Sequence, residues 1–266
     1  MNLGGSTHAP HIRKHLAQAL PYVFLAQIDL GEAASVSASV LPDDGRLLFF
    51  CDLPLVPWRQ GIESCRVIWD RSAPQALRRV EMPEILQRFA DESVDEMRAL
   101  YRERGLVAGE LSHCYAGPER SMRVVLRYAL PNSYAAEAMQ DEVFAAAMQD
   151  EDMQAAYDDF VSELSLDLAD GVAMHRVLGY PVPEQDDPRF VAVALVDYGR
   201  PRFWDWPQMP DEATLHAKMT EWHLLLQIEL SDCIPGWSEG KVYFLIRDED
   251  LRTRRFERTV VVYQQT

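Results

Sequence analysis

The chain carries one strand-turn-strand pattern twice, once near each end. The segment Phe24-Leu-Ala-Gln-Ile-Asp-Leu30 is matched by Leu224-Leu-Leu-Gln-Ile-Glu-Leu230. After a polar turn, each copy continues with a glycine and a second apolar run: Gly45-Arg-Leu-Leu-Phe-Phe50 and Gly240-Lys-Val-Tyr-Phe-Leu245. The glutamines Gln27 and Gln227 are 200 positions apart, and the two glycines are 195 apart. We interpret this as an internal duplication, which predicts how a sheet is built and does not by itself predict a reaction.

The composition is ordinary for a globular protein, with 48% hydrophobic and 26% charged residues among 266. A chain of this length buries roughly three quarters of its unfolded surface, which is enough for one substantial core or two small ones, and we favour one domain over residues 1–266. No apolar run approaches the roughly 20 residues that span a bilayer, and no basic segment leads into an apolar stretch at the start. We therefore expect neither a membrane anchor nor a signal peptide, and a cytoplasmic location.

Strands and helices are both predicted from the hydrophobic pattern, which favours an α+β fold. Helices are expected over 84–104 and within 132–170, where Met139, Val143 and Ala147 would form an inner face. Strands are expected over 22–30, 46–52, 67–70, 123–130, 190–197, 224–230, 242–247 and 259–263. The helical part would then be an acidic insertion between the two duplicated units.

The net charge of −16 is concentrated in that helical part. Between Tyr128 and His175 there is no Lys or Arg, and eleven acids occur. They are Glu137, Asp141, Glu142, Asp150, Glu151, Asp152, Asp158, Asp159, Glu163, Asp167 and Asp170. Exposed helices usually mix charges of both signs, because like charges at helical spacing repel. A solvated surface that aids solubility would explain the pattern; so would a surface that binds a basic partner and repels nucleic acid and lipid. For the second case we predict partner binding by the first nine acids of this set.

Neither a metal site nor a cofactor is predicted. The cysteines Cys51, Cys65, Cys114 and Cys233 form no CxxC pair, and Cys51 and Cys65 fall in apolar runs where they are expected to pack in the core. His8, His11 and His15 could share a metal on a helix, but no carboxylate or thiol nearby completes the ligand set. We expect these histidines to belong to an exposed terminus.

Catalysis is predicted only weakly, because the chain has no GxSxG, P-loop, GxGxxG or HExxH motif. His175 precedes a segment constrained by Gly179, Pro181 and Pro183, and Asp186 or Asp187 could serve as its acid/base partner. A structural role as a loop anchor is the favoured interpretation. The tryptophans could line a ligand cleft or could pack in a core or interface; they are Trp58, Trp69, Trp204, Trp206, Trp222 and Trp237.

Five motifs in order resemble the YwqG-like family of bacterial proteins. They are Phe24 to Leu30, Leu41-Pro-Asp-Asp-Gly-Arg-Leu-Leu-Phe-Phe50, His175 to Asp186 with its Leu-Gly-Tyr-Pro core, Leu224-Leu-Leu-Gln-Ile228, and Gly240 to Phe256. The resemblance covers most of the chain outside residues 70–170. It implies one α+β domain with internal duplication and no known activity. Because members of that family occur near polymorphic toxin systems, it also implies an immunity role by analogy.

The sequence thus favours a protein-protein interaction module. Its most concrete form is an immunity protein, as in a toxin-antitoxin pair, that neutralises a basic, nuclease-like toxin. The alternatives are a small-molecule or peptide-binding module using the tryptophans, and an enzyme of unrecognised type centred on His175 and Asp186.

Overall fold

A computed structural model describes residues 22–107, 119–166, 175–199, 210–234 and 239–265. It contains both helices and strands, which confirms the α+β prediction. The strands are β1 (Val23–Asp29), β2 (Arg46–Cys51), β3 (Cys65–Asp70), β4 (Trp222–Glu229), β5 (Lys241–Arg247) and β6 (Val260–Gln264). The helices are α1 (Leu30–Val36), α2 (Glu84–Glu103), α3 (Ala136–Met139), α4 (Glu142–Ala147), α5 (Glu151–Leu166), α6 (Pro188–Asp197), α7 (Glu212–Met219), α8 (Leu230–Cys233) and α9 (Asp248–Arg252). Within the described ranges, no helix combines the length and apolar character needed to cross a bilayer.

The strands form two antiparallel sheets of the same design, in the orders β1-β2-β3 and β4-β5-β6. Gln27 lies opposite Leu48 in the first sheet, and Gln227 lies opposite Tyr243 in the second. Because Leu48 and Tyr243 keep the 195-residue offset of the glycines, the pairing registers of the two sheets are equivalent. The predicted duplication, with Gln27 and Gln227 in matching positions, is therefore confirmed.

Smaller details of the two units are repeated as well. Both first strands carry a β-bulge, between Phe24 and Ala26 in β1 and at the corresponding place in β4. Each of these strands runs directly into a helix, α1 or α8. The first helical N–H then donates to the carbonyl of the turn glycine, at 3.0 Å from Leu30 to Gly45 and at 3.0 Å from Leu230 to Gly240. This bond ties each helix start to the turn that begins the next strand.

The inner faces of the two sheets contribute to one hydrophobic core. At its centre, the rings of Phe49 and Phe244 meet edge to face with centroids 5.1 Å apart, and both side chains are fully buried. These phenylalanines occupy equivalent positions of the duplicated units. Contact between equivalent residues is what a twofold relation produces, because each unit presents the same surface to the other.

The third strands are joined across the same approximate twofold axis. A 3-10 turn precedes each of them, Ile62–Ser64 before β3 and Phe256–Arg258 before β6, and each turn packs against the third strand of the other unit. Gly61 and Val261 exchange backbone hydrogen bonds of 2.9 and 3.4 Å. Each unit therefore completes the other through backbone bonds as well as apolar packing.

Two of the predicted strands are wrong. Residues 190–197 lie in helix α6, where the Asp187 carboxylate accepts the Arg189 N–H at the helix start and Pro188 occupies the first turn. Such capping overrides the strand preference of the branched residues that follow. Residues 123–130 form neither helix nor strand and are mostly exposed. No described strand pairs with them, and branched residues alone do not form a stable strand.

We predict that Gly45→Ala destabilises the protein by about 2–4 kcal/mol, since left-handed backbone costs a non-glycine residue about 1–2 kcal/mol before any clash. Gly45 has φ +76°, and an added Cβ would lie 2.6 Å from the Asp70 carbonyl oxygen. Gly105 is the matched control, because it has φ +65° and nothing within 4 Å of its added Cβ. Urea unfolding of both variants measures the difference. Equal losses would show that the close approach to Asp70 contributes nothing.

Candidate functional site

The acidic segment forms α3, α4 and α5, and its carboxylates fall into two groups. Five are exposed and make no hydrogen bond or ion pair within the described part of the chain. They are Glu142, Glu151, Asp152, Asp159 and Glu163. We call these the unpaired acids. They are available to an external partner because they stabilise no other element through a direct contact.

Three further acids of the predicted surface serve the segment itself. Asp141 caps α4 by accepting the N–H groups of Val143 and Phe144, both at 2.9 Å. Asp150 accepts two N–H groups at 3.0 Å at the start of α5. Asp158 accepts the N–H and hydroxyl of the fully buried Ser133, at 3.2 and 2.9 Å. Asp141 and Asp150 thus cap the N-termini of helices, and Asp158 holds α5 in place, so these three acids have structural roles.

Glu137, the ninth predicted acid, joins α3 to α6. The guanidinium of Arg189, whose side chain is only 3% exposed, lies between the carboxylates of Glu137 and Asp187. Its Nη2 donates to both, at 2.7 and 2.6 Å, and its Nε donates to Asp187 at 3.0 Å. Burial acts to raise the pKa of Glu137, but the hydrogen bonds and charge of Arg189 outweigh it and leave the pKa below its usual value. Arg189 therefore fixes the acidic helices to the protein body.

An apolar groove of about 600 Å³ lies between α4 and α5. Phe144 and Tyr157 meet edge to face inside it, with centroids 5.0 Å apart. The lining residues are Asp141, Val143, Phe144, Ala147, Met148, Met153, Ala156, Tyr157 and Phe160. The sequence predicted Val143 on an inner face, but this side chain is 80% exposed at the groove. The interpretation was wrong because the expected helix is divided after Met139, and the apolar side of the short helix α4 faces the open groove.

The segment 182–187 covers part of the outer face of the second sheet through side chains of all three strands, and helix α6 packs on the apolar remainder of that face. The Val182 N–H donates to the Gln227 side chain at 2.8 Å, and the Tyr243 hydroxyl donates to the Val182 carbonyl at 2.9 Å. The Gln264 amide donates to the Asp186 carbonyl at 2.6 Å. Gln227 is fully buried by this contact, whereas the equivalent Gln27 is exposed. The segment that contained the predicted acid/base partners of His175 is thus a structural cover.

His175 has partners other than the predicted aspartates. Its Nδ1 accepts the Glu229 N–H at 3.1 Å, and its Nε2 lies 3.7 Å from the Cys233 sulfur. Because Nδ1 accepts a hydrogen bond, the proton of the neutral ring is on Nε2 and points to the sulfur. Burial lowers the pKa of His175 and raises the pKa of the Cys233 thiol. The pair is held neutral, and a thiolate nucleophile is disfavoured.

The described tryptophans lie in separate surroundings. Trp58 is 56% exposed, Trp69 donates to the Asp44 carbonyl at 3.0 Å, and Trp222 is buried beneath the Arg247 guanidinium. These three therefore do not form the ligand cleft that was the alternative to core or interface packing. The other residues considered above lie outside the described ranges: Trp204, Trp206, Trp237, His8, His11, His15, Cys114, Asp167 and Asp170. Among the described residues, no group of three or more His, Cys, Asp or Glu is placed to hold a metal.

Sequence reasoning missed the residues that organise this surface. Arg189 stands alone in an apolar run, and the preceding Asp187-Pro188 is a helix-start signal. Together these features indicate a buried cation on a helix. No comparable signal brings Cys233 to His175, because that contact joins residues 58 positions apart.

The fold and this surface together define an α+β protein with two duplicated sheets and an attached acidic helical segment. A family model described as a domain of unknown function (DUF1963) matches residues 2–264. The chain belongs to that family, and the match runs through the acidic segment that the five short motifs did not cover. No curated protein matches the chain.

Replacing Arg189 with Met should destabilise the protein by about 3–5 kcal/mol, because Asp187 would remain buried without a counter-charge. Arg79 forms an ion pair with Glu119 in which both side chains are at least 73% exposed. Arg79→Met should cost less than about 1 kcal/mol. Chemical denaturation at neutral pH measures both. Similar losses would mean that burial of the Arg189 pair is unimportant for stability.

We also predict that His175→Asn flattens the pH dependence of stability. Since burial lowers the folded pKa of His175, the unfolded chain binds a proton first as the pH falls. The contribution of neutral His175 to the free energy of unfolding is therefore complete above the ordinary histidine pKa. It is lost as the pH falls toward the pKa of His175 in the folded protein. The Asn oxygen can accept the Glu229 N–H without titrating.

The measurement is the unfolding free energy of wild type and variant between about pH 7 and pH 5, a range that includes the ordinary histidine pKa. His175→Leu is the matched control, since it neither titrates nor accepts the hydrogen bond and should lose stability at every pH. An unchanged pH slope in His175→Asn would contradict the prediction.

Proposed function

We propose that this protein is a protein-binding module, and most concretely an immunity protein that binds and neutralises a basic, nuclease-like bacterial toxin. The observation that supports it best is the set of five unpaired acids on α4 and α5. The proposal includes a cytoplasmic location and a single YwqG-like domain, in keeping with the five motifs.

The five unpaired acids make no stabilising contact within the described part of the chain. Like charges at helical spacing cost a few tenths of a kcal/mol each, and mixed signs would recover a similar amount. The segment nevertheless has no Lys or Arg from Tyr128 to His175. Its potential extends about 8 Å at physiological salt, so a basic protein would be attracted before contact. A surface with this sign of charge would also repel nucleic acid and anionic lipid, which are negatively charged themselves.

The second candidate is a peptide-binding module, which the apolar groove between α4 and α5 favours. An enzyme centred on His175 gains no support from the contacts. Both ring nitrogens are engaged by Glu229 and Cys233, and the Asp187 carboxylate is engaged by Arg189.

The first test is a variant in which all five unpaired acids are neutralised. The substitutions are Glu142→Gln, Glu151→Gln, Asp152→Asn, Asp159→Asn and Glu163→Gln. Stability should change by less than about 2 kcal/mol, because lost interactions with the helix dipoles oppose the relief of like-charge repulsion. Association with a basic partner should slow at least about tenfold at low salt, with a shallower salt dependence.

The partner is isolated from the native host by affinity capture at low salt, purified, and assayed for nucleic acid cleavage with and without this protein. Association rates are then measured against ionic strength. A control protein carries five neutralisations at exposed acids elsewhere: Asp43→Asn, Glu63→Gln, Glu81→Gln, Glu221→Gln and Glu257→Gln. Inhibition of cleavage by wild type and control, and its loss in the test variant, is expected. Equal rates and salt slopes in all three proteins would overturn the proposal.

A further inference from the structure

We propose that the groove between α4 and α5 binds a basic amphipathic helix of the partner, with the apolar side of that helix in the groove. This inference rests on the proposed function as a binding protein, and it names the chemistry that the surface recognises. It does not require the partner to be a toxin.

The apolar wall of the groove follows one face of α5. Met153, Tyr157, Phe160 and Leu164 recur at helical spacing, so they form a stripe that extends for about 16 Å along the helix axis. Three of them are half exposed: Met153 at 53%, Phe160 at 50% and Leu164 at 48%. An apolar stripe of this length on a helix normally packs against another element. Here α4 covers only the part near Tyr157, through the contact with Phe144.

The opposite wall presents apolar groups to the same space. Val143 on α4 is 80% exposed, and Met148 lies buried at the end of that helix. Methionine side chains adapt to partners of different shape because they are unbranched and flexible. Met148 and Met153 both line the groove. The groove can therefore adapt to large apolar side chains of different shapes.

The carboxylates restrict the occupant to a basic one. At 100° per residue, Asp152, Asp159 and Glu163 fall in one row, about 100° around α5 from the apolar stripe. The opposite flank of α5 is held to the body by Asp158, through Ser133. On the same side, at the edge of the stripe, the Tyr157 hydroxyl donates to the Pro131 carbonyl at 2.9 Å. The acidic row thus lies on the flank away from the body, where an occupant's Lys or Arg can reach it. An acidic or uncharged apolar segment would gain nothing from this row.

The occupant is a helix because both walls of the groove are helices. Their side chains leave ridges and gaps at the i, i+3 and i+4 spacing that a second helix fills. An extended peptide that binds by β-augmentation needs a free strand edge, and α4 and α5 present no strand. A helix with apolar residues at positions i, i+3 or i+4, and i+7, flanked by Lys or Arg, matches the stripe and the acidic row together.

The probe is a synthetic peptide of about 16 residues, or about 24 Å of helix, with leucines along one face and lysines elsewhere. Two control peptides separate the contributions: one has the same composition with the leucines spread around the helix, and the other has glutamate in place of lysine. Binding to the full chain is measured by calorimetry, and peptide helicity by circular dichroism. Methyl spectra of ¹³C-labelled methionine report the location.

The groove variant is Met153→Gln/Phe160→Gln. Because both side chains are half exposed, we expect the variant to fold. The matched control is Ile85→Gln/Met97→Gln on α2, where the side chains are 58% and 36% exposed. We expect the leucine-lysine peptide to become helical on binding and to shift the methyl signals of Met148 and Met153. Its affinity should fall at least about tenfold in the groove variant and stay unchanged in the control.

Equal binding of the two lysine peptides, or equal binding by wild type and groove variant, would overturn the groove proposal. That result would leave the proposed function intact if association of the natural partner still depended on the five unpaired acids. Conversely, groove-dependent peptide binding together with a natural partner that is not a nuclease would support helix binding in the groove and contradict the toxin-neutralising function. The two proposals therefore fail separately.

Discussion

The contact between Phe49 and Phe244 is the interaction on which the rest of the molecule depends. A three-stranded sheet is stable only when its apolar inner face is buried against another element. Each duplicated sheet solves this problem for the other, and the two equivalent rings meet where the approximate twofold axis passes. The exchange of backbone bonds between Gly61 and Val261 secures the third strands in the same arrangement. Neither unit buries its inner apolar face without the other.

The outer faces of the two sheets have diverged, and this asymmetry positions the acidic segment. Gln227 is buried beneath the segment 182–187, whereas Gln27 at the equivalent place is exposed. The covering segment 182–187 ends at Asp187, which both caps α6 and holds the guanidinium of Arg189. Arg189 in turn binds Glu137 on α3. A continuous set of polar contacts therefore leads from the second sheet to the acidic helices and fixes their position on the body.

Sequence reasoning predicted the six strands of the two sheets because strand signals are local. Alternation, turn glycines and the repeated motif are all visible in a short window. Helix α6 was predicted as a strand because a buried helix and a buried strand can both be continuously apolar. The deciding signal was Asp187-Pro188 just before the run, which favours a helix start. Residues 123–130 show the opposite error, since they have strand propensity but no partner strand.

The acidic character of the candidate surface was also predictable, whereas the role of each acid was not. The roles depend on contacts with residues distant in sequence, such as Asp158 with Ser133 and Glu137 with Arg189. The groove arises only when α4 and α5 pack together, so no single helical pattern reveals it.

The division of the acids into structural and unpaired groups strengthens the argument for recognition. If the acids were present only for helix stability, they would be expected at helix N-termini, where capping and the helix dipole favour them. Asp141 and Asp150 fit that explanation. Asp159 and Glu163 do not, because they lie in the second half of α5, where the dipole disfavours negative charge. Their destabilising position, beside an open apolar stripe and without an ion-pair partner among the described residues, is what a surface selected for a basic partner would retain.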